Sequence, residues 1–156
     1  MNTGTRLNDA LLSGLAGATA LTAVHQIARA VTDSAPQMDV VGMRALARGI
    51  NAAGGEAQRS RGLYGATLAG DLISNTAYYS LATTYTRGAV MGILAGIGAL
   101  VLPARMGLGD PPHSERLSNK VMTVAWYTLG GLAAACTANW LANRHLHRSP
   151  QFMGGW

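Results

Sequence analysis

The stretch that decides the fold is GAVMGILAGIGALVLP, residues 88–103, because none of its sixteen positions carries a polar side chain. An uninterrupted apolar run favours a helix that crosses a membrane over a helix of a soluble, alanine-rich bundle, which is the alternative. A bilayer core is about 30 Å thick and takes about 20 helical residues to cross, so this run is short. We nevertheless predict that it spans a membrane.

The composition of the remaining chain agrees with a membrane location. Charged residues make up 12% of the 156 residues, against about 25% in a typical soluble protein. The mean hydropathy is only +0.16. That average hides a segregation, since the arginines sit in a few short stretches between apolar segments. Such alternation is typical of several spans joined by loops, and the length suits one domain.

Three further segments have the same apolar character. We therefore predict an all-α fold, a four-transmembrane-helix bundle with a short amphipathic interfacial helix between spans one and two. The spans are expected at about 10–31, 64–85, 88–103 and 120–142, and the interfacial helix at about 38–50.

The two ends of the chain receive separate predictions. The tripeptide ATA at 18–20 resembles a signal-peptide cleavage site, but the apolar pattern continues to Val31, so we expect a retained first span. Residues 1–143 are expected to form a single membrane domain. Residues 144–156 are expected to form a mobile C-terminal tail.

Small residues recur at helical spacing on three of the spans. Gly88, Gly92 and Gly96 form two overlapping GxxxG motifs on span three, a pattern that lets a second backbone approach closely. We expect a tightly packed bundle. The pattern leaves open whether such a stripe faces a second copy, so a homo-oligomer or another membrane-complex partner remains an alternative.

Polar residues also form stripes, notably within AGDLISNTAYYS, residues 69–80 of span two. Asp71 lies seven residues from Tyr64, and His25 lies seven residues from Thr32. At 1.5 Å per residue, both lie roughly 10 Å below the same membrane face. We expect Asp71 to face His25 or Arg29 of span one. The predicted intramembrane polar cluster comprises His25, Arg29, Asp71, Ser74, Asn75 and Tyr78.

This cluster admits a functional and a structural interpretation. A charge at the bilayer centre costs about 2.5–3.5 kcal/mol on insertion scales, so intramembrane charges commonly mark proton relays or polar binding sites. A clasp that holds two helices in register is the alternative. The leading hypothesis is a non-enzymatic subunit or scaffold. The others are a proton-coupled or small-solute transporter acting as an oligomer, and a membrane enzyme acting on lipid or quinone. We assign no catalytic residue.

The net charge of +5 comes mainly from arginine. No dense basic tract with interleaved aromatic residues is present, so we expect no nucleic-acid partner. Arg44 and Arg48 of the interfacial helix are expected to contact anionic lipid headgroups of the bilayer. The positive-inside rule places loops 32–63 and 104–119 in the cytoplasm and both termini outside, in a bacterial inner membrane.

Metal and cofactor sites are not expected. Cys136 is the only cysteine, which excludes an intrachain disulfide and a cysteine-based metal cluster. His113 and Glu115, and the pair His145 and His147, match no zinc-binding spacing. The sequence GLGD at 107–110 lacks the context of a phosphate-binding loop and is interpreted as a turn.

Overall fold

The computed structural model describes residues 3–57 and 60–148, which contain five α-helices and no strand. The all-α prediction is therefore confirmed. The helices are α1 (Thr3–Val31), α2 (Met38–Ala52), α3 (Arg61–Tyr79), α4 (Tyr85–Arg105) and α5 (Leu117–Arg148).

The prediction of four spans is corrected to three. Within the described residues, α1, α4 and the part of α5 over Leu117–His145 are long and apolar enough to cross a membrane, which indicates a membrane protein. Helix α3 is 19 residues long and falls short in composition. Its polar stripe, with Asp71 at the centre, leaves no stretch of α3 as apolar as the most apolar stretches of α1, α4 and α5.

Helix α3 nevertheless packs along α1 as the fourth helix of the bundle. The Tyr64 hydroxyl donates to Gln26 Oε1 at 3.3 Å near one end of the contact. At the other end, Gly14 lies against the backbone of Thr76 and Ser80. The two helices are thus antiparallel. Helix α1 packs between α3 and α5, α5 packs against α4, and α2 rests on α3.

The packing is inverted relative to a water-soluble bundle. The fully buried positions are dominated by small residues, including Ser13, Ala18 and Ala134. Large apolar side chains point outward, and Val31, Ile73 and Leu117 are each more than 70% exposed in the isolated chain. A soluble protein of this size would bury such side chains. Lipid is the solvent that suits this surface.

Small residues allow α4 and α5 to meet backbone to backbone. A Cβ atom at Gly88 would collide with the Gly131 carbonyl, and one at Gly92 would collide with the backbone of Thr128. A Cβ at Gly96 would lie 2.6 Å from Val124 Cα. The three glycines therefore face α5 of the same chain, and we call this contact the α4–α5 seam.

The predicted boundary between spans two and three is also corrected. Helix α3 ends at Tyr79, and Tyr85 already belongs to α4. The Thr84 hydroxyl accepts a hydrogen bond from the backbone N–H of Arg87 at 3.3 Å and caps the new helix. A threonine in this position is a strong N-cap, so Arg87 lies in the first turn of α4 rather than at the end of α3.

The predicted tail begins later than expected. Helix α5 continues through residues 144–148, and His145 Nε2 lies 2.9 Å from the Asp9 carboxylate of α1. This contact joins the end of α5 to the beginning of α1. The rest of the predicted tail, residues 149–156, lies outside the described residues.

Candidate functional site: a cleft between α3 and α4

A cavity lined by all five helices lies where α3 and α4 separate. These helices are connected by residues 80–84, and the Tyr78 hydroxyl donates to the Met91 carbonyl at 2.9 Å. Farther from this connection the two helices barely touch, and a cavity of about 360 Å³ lies between them. That volume is in the range of small-molecule sites. We call this cavity the α3–α4 cleft.

Every helix contributes a wall to the cleft. Helix α1 supplies its floor with Thr22 and His25, and α5 adds Tyr127. Ala99 and Pro103 of α4 line one side. The N-terminal half of α3 lines the other, and α2 lies across one end. Three of the walls thus belong to helices that are long and apolar enough to cross a membrane.

An ion pair closes the end of the cleft beside α2. The Arg29 guanidinium donates to the Asp39 carboxylate, so the last turn of α1 is tied to the first turn of α2. The sequence analysis expects Asp71 to face His25 or Arg29, and the structure instead pairs Arg29 with Asp39. Residues 32–37 reverse the chain direction between α1 and α2. Asp39 of α2 is thereby brought within hydrogen-bonding distance of Arg29. Sequence reasoning missed Asp39, although an acid in a first helical turn is a usable signal.

The carboxylate of Asp71 lies in the cleft without a cation. Its Oδ1 accepts a hydrogen bond from the Asn75 amide at 2.9 Å, one turn along α3. Asp71 and Ser74 line the cleft and are still exposed. The cleft is therefore open on the α3 side rather than sealed inside the bundle.

His25 lines the cleft, and one of its ring nitrogens is buried without a hydrogen-bond partner. Its Nδ1 lies 3.1 Å from the Leu21 carbonyl, and because a carbonyl can only accept, Nδ1 carries the hydrogen. The neutral ring then has Nε2 as an acceptor, and Nε2 is buried without a hydrogen-bond partner. The ring lies edge-on to Trp126, with centroids 4.9 Å apart. The Thr22 hydroxyl nearby is also buried and unpartnered.

The predicted polar cluster is divided by the structure. His25, Arg29, Asp71 and Ser74 line the cleft. Asn75 supports Asp71 from the same helix, whereas the hydroxyl of Tyr78 is engaged by α4 at the far end. The stripes on α1 and α3 thus reach one cavity, but His25 and Asp71 make no hydrogen bond to each other among the described contacts.

The two arginines of α2 bind the loop that follows α4. Arg44 Nη1 donates to the carbonyls of Leu108 and Asp110 at 3.1 and 3.0 Å, and Arg48 Nη1 donates to that of Met106 at 2.6 Å. A helix C-terminus leaves carbonyls unpaired and favours nearby cations. These contacts tie α2 across the cleft to the end of α4. The headgroup contacts expected of Arg44 and Arg48 stay a prediction.

The loop itself is shaped for this contact. Gly107 and Gly109 have φ angles of +70° and +74°, a region in which residues with a side chain are strained. The GLGD segment is thus a turn whose carbonyls face α2, as the hydrogen bonds above show.

In chemical terms, the cleft combines acceptor groups with apolar walls. It holds one carboxylate without a cation, one imidazole nitrogen without a donor, and one internally neutralised ion pair. Such a site can hold a small molecule that has both a polar and an apolar part. No protein-family model, no curated protein and no solved structure matches this chain.

Proposed function

We propose that this chain is a small, non-enzymatic integral membrane subunit whose α3–α4 cleft binds a small amphipathic molecule. The observation that carries the proposal is the separation of α3 from α4, which leaves a mixed polar and apolar cavity open on its side. A molecule dissolved in the lipid enters such a site laterally. The proposal includes a bacterial inner-membrane location with loops 32–63 and 104–119 in the cytoplasm, a topology that requires α3 to cross the bilayer together with the three candidate spans.

The binding role is favoured over a purely structural clasp because the charged groups that α1 and α3 contribute to the cleft do not bond to one another across the two helices. Arg29 pairs with Asp39 and not with α3, and Asp71 bonds only to its own helix. Hydrogen bonds between membrane helices contribute about 0.6 kcal/mol on average. Asp71 contributes none of these to the α1–α3 contact, so its place in the cleft is better explained by a ligand.

The binding role is also favoured over catalysis on lipid or quinone. The Ser74 hydroxyl donates to the Asp71 backbone carbonyl at 3.1 Å, and the Thr67 hydroxyl donates to that of Leu63 at 2.8 Å. Neither is aligned with an imidazole that would activate it as a nucleophile. The described contacts therefore support binding more than covalent chemistry.

Native mass spectrometry of the protein in lipid nanodiscs tests the proposal. Gly70 lines the cleft, and a Cβ atom there would meet no other atom within 4 Å, so a larger side chain can be accommodated. We expect wild type to retain a small molecule that Gly70→Phe loses, because the ring fills the cleft. Gly65→Phe is the matched control, since Gly65 is equally open on α3 but lies outside the cleft lining. Equal occupancy in all three proteins would contradict the proposal.

A proton-coupled carrier that acts as an oligomer is the second candidate. It is favoured by one observation, namely that Asp71 and His25 line one cavity, and neither the Asp71 carboxylate nor the buried His25 Nε2 has a cation or donor from another helix of the described chain. Both groups can exchange protons. Proton flux into proteoliposomes that is present in wild type and absent in Asp71→Asn would favour the carrier. Equal flux in the two proteins would exclude it.

A further inference from the structure

We infer that the α3–α4 cleft selects an amphipathic organic cation with an N–H group, such as a protonated alkylamine or arylamine, and that Asp71 is its anionic partner. This inference rests on the proposed function and names the chemical class of its ligand. It follows from the charges, the hydrogen-bonding groups and the apolar surface of the cleft.

The charge balance of the cleft is negative. Its described walls contain three side chains that are charged at neutral pH, namely Arg29, Asp39 and Asp71. The first two neutralise each other in the ion pair between α1 and α2. The Asp71 carboxylate is left without an opposite charge. An uncompensated carboxylate is costly in an environment of low dielectric constant, and a cationic ligand offsets that cost by supplying the missing partner.

The cleft walls carry unused acceptors on Asp71 and His25, beside donor groups on Gln26, Thr22 and Arg29. Asp71 Oδ1 is bonded to Asn75, and Oδ2 has no hydrogen-bond partner among the described residues. His25 Nε2 is a buried acceptor without a donor. An ammonium group offers two or three N–H donors, whereas a carboxylate or a phosphate offers only acceptors. The free Asp71 oxygen therefore accepts a hydrogen bond from a protonated amine, whereas a second carboxylate or a phosphate would be repelled by the Asp71 charge.

The remaining surface of the cleft suits an apolar body. Val41 and Leu46 of α2, Leu68 of α3, and Ala99 and Pro103 of α4 contribute to the lining. An amine with an alkyl or aryl body can place its charge at Asp71 and its body against these walls. Such a molecule partitions into the bilayer interface, from which the open side of the cleft is accessible.

Fluorescence quenching of Trp126 measures this selectivity directly. Trp126 packs against the His25 ring on the cleft floor. Trp140→Phe and Trp156→Phe leave it as the single tryptophan, because the chain has three. The probes are the amino, hydroxy and carboxy derivatives of one piperidine nitroxide, which share a skeleton and differ in charge. The protein is reconstituted in nanodiscs of phosphatidylcholine, so that the lipid itself carries no net charge.

We expect saturable quenching by all but the carboxy probe, with the amino probe half-saturating at a concentration about tenfold or more below the hydroxy probe. That ratio corresponds to one charge-assisted hydrogen bond. Asp71→Asn should abolish the preference while the hydroxy probe still binds. Asp33→Asn is the matched control, because it removes the same charge from an exposed loop and should leave the preference unchanged.

A second pair of variants keeps the test independent of the aspartate. Gly70→Lys introduces a cation into open space within the cleft, and Gly65→Lys introduces the same cation on α3 outside the lining. Only the former should remove the preference for the amino probe. This pair decides the question if Asp71→Asn fails to assemble.

The outcomes separate the two claims. An amine preference that is lost in Asp71→Asn and Gly70→Lys, and kept in both controls, supports the inference. Equal binding of the amino and hydroxy probes to wild type overturns the ligand class but leaves a small-molecule cleft in place. An amine preference that survives both Asp71→Asn and Gly70→Lys overturns the role of Asp71. The absence of saturable quenching by every probe overturns the inference and the proposed function together.

Discussion

Helix α4 has two sides that differ in almost every respect. On one side, Gly88, Gly92 and Gly96 bring its backbone against α5 without any charged group. On the other, Ala99 and Pro103 face a cavity that contains a carboxylate and an ion pair. The α4–α5 seam is closed by shape alone, whereas the α3–α4 cleft is kept open beside polar groups.

On the proposed function, the difference separates the contacts that stabilise this bundle from the groups that bind a ligand. Apolar helices in lipid gain little from burying apolar surface, so they associate through close van der Waals contact between small residues. The seam provides that contact. Along the cleft, α3 and α4 lack this close contact. The cleft instead contains the polar groups that a ligand would use. Variants of the seam should therefore affect folding, and variants of the cleft should affect binding.

The largest effect is expected at the seam. Gly92→Ala places a methyl group against the Thr128 backbone, and overpacking of this kind costs about 1–3 kcal/mol. We expect the free energy of unfolding, measured by circular dichroism during titration with dodecyl sulfate, to fall by about 2 kcal/mol. Gly98→Ala is the control, because its Cβ would make only an ordinary contact with Leu102 at 3.5 Å. Equal losses in both variants would refute close packing as the reason.

The ion pair at the end of the cleft comes next. The Arg29 side chain is 32% exposed and that of Asp39 is 10% exposed, so the cost of removing one partner should be below the 3–5 kcal/mol of a fully buried pair. We expect Arg29→Met to lower the free energy of unfolding by roughly 1.5 kcal/mol, because Asp39 is left unpaired. The double variant Arg29→Met/Asp39→Leu should recover most of this loss. A double variant less stable than Arg29→Met would contradict the pairing.

A smaller effect is expected where α2 holds the end of α4. Arg48→Gln removes a charge-assisted hydrogen bond to the Met106 carbonyl, and an exposed contact of this kind contributes about 1 kcal/mol. If the arginine acts through the loop, the variant should lose the same stability in nanodiscs of neutral lipid and of anionic lipid. A loss confined to anionic lipid would instead support the headgroup role predicted for Arg44 and Arg48.

The smallest effect on stability is expected at Asp71. Its carboxylate bonds only to Asn75 on the same helix, and Asp71→Asn keeps the size of the side chain and an acceptor oxygen. We expect the free energy of unfolding to change by less than about 0.5 kcal/mol, the range of substitutions that break no tertiary contact. A loss as large as that of Gly92→Ala would return Asp71 to a structural role.

The helices were predictable because their signals are local. Apolar runs and small-residue spacing identified three membrane-crossing segments and the short helix beginning at Met38. The error in the predicted helix boundaries lies between α3 and α4, where the hydropathy of the sequence changes only gradually. The predicted second span merged the end of α3 with the start of α4, since the turn over 80–84 contains no proline or glycine. Only the cap at Thr84 marks that boundary.

The candidate site was partly predictable for a related reason. Helical periodicity placed His25 and Arg29 on one stripe and Asp71 and Ser74 on another, and these stripes do line one cavity. Periodicity cannot tell which charged groups pair. Arg29 pairs with Asp39 because the six residues between α1 and α2 reverse the chain direction. No rule of residue spacing predicts the direction in which such a turn leads.

The amino-acid sequence alone determined the helical class, the membrane-crossing character of α1, α4 and α5, and the polar face of α3. These properties depend on residues within a few helical turns of one another. Tertiary structure decided that α3 separates from α4, that α2 lies across the end of the opening, and that Asp71 is left without a cation. They depend on how closely whole helices approach, which is set by the shapes of surfaces far apart in the chain.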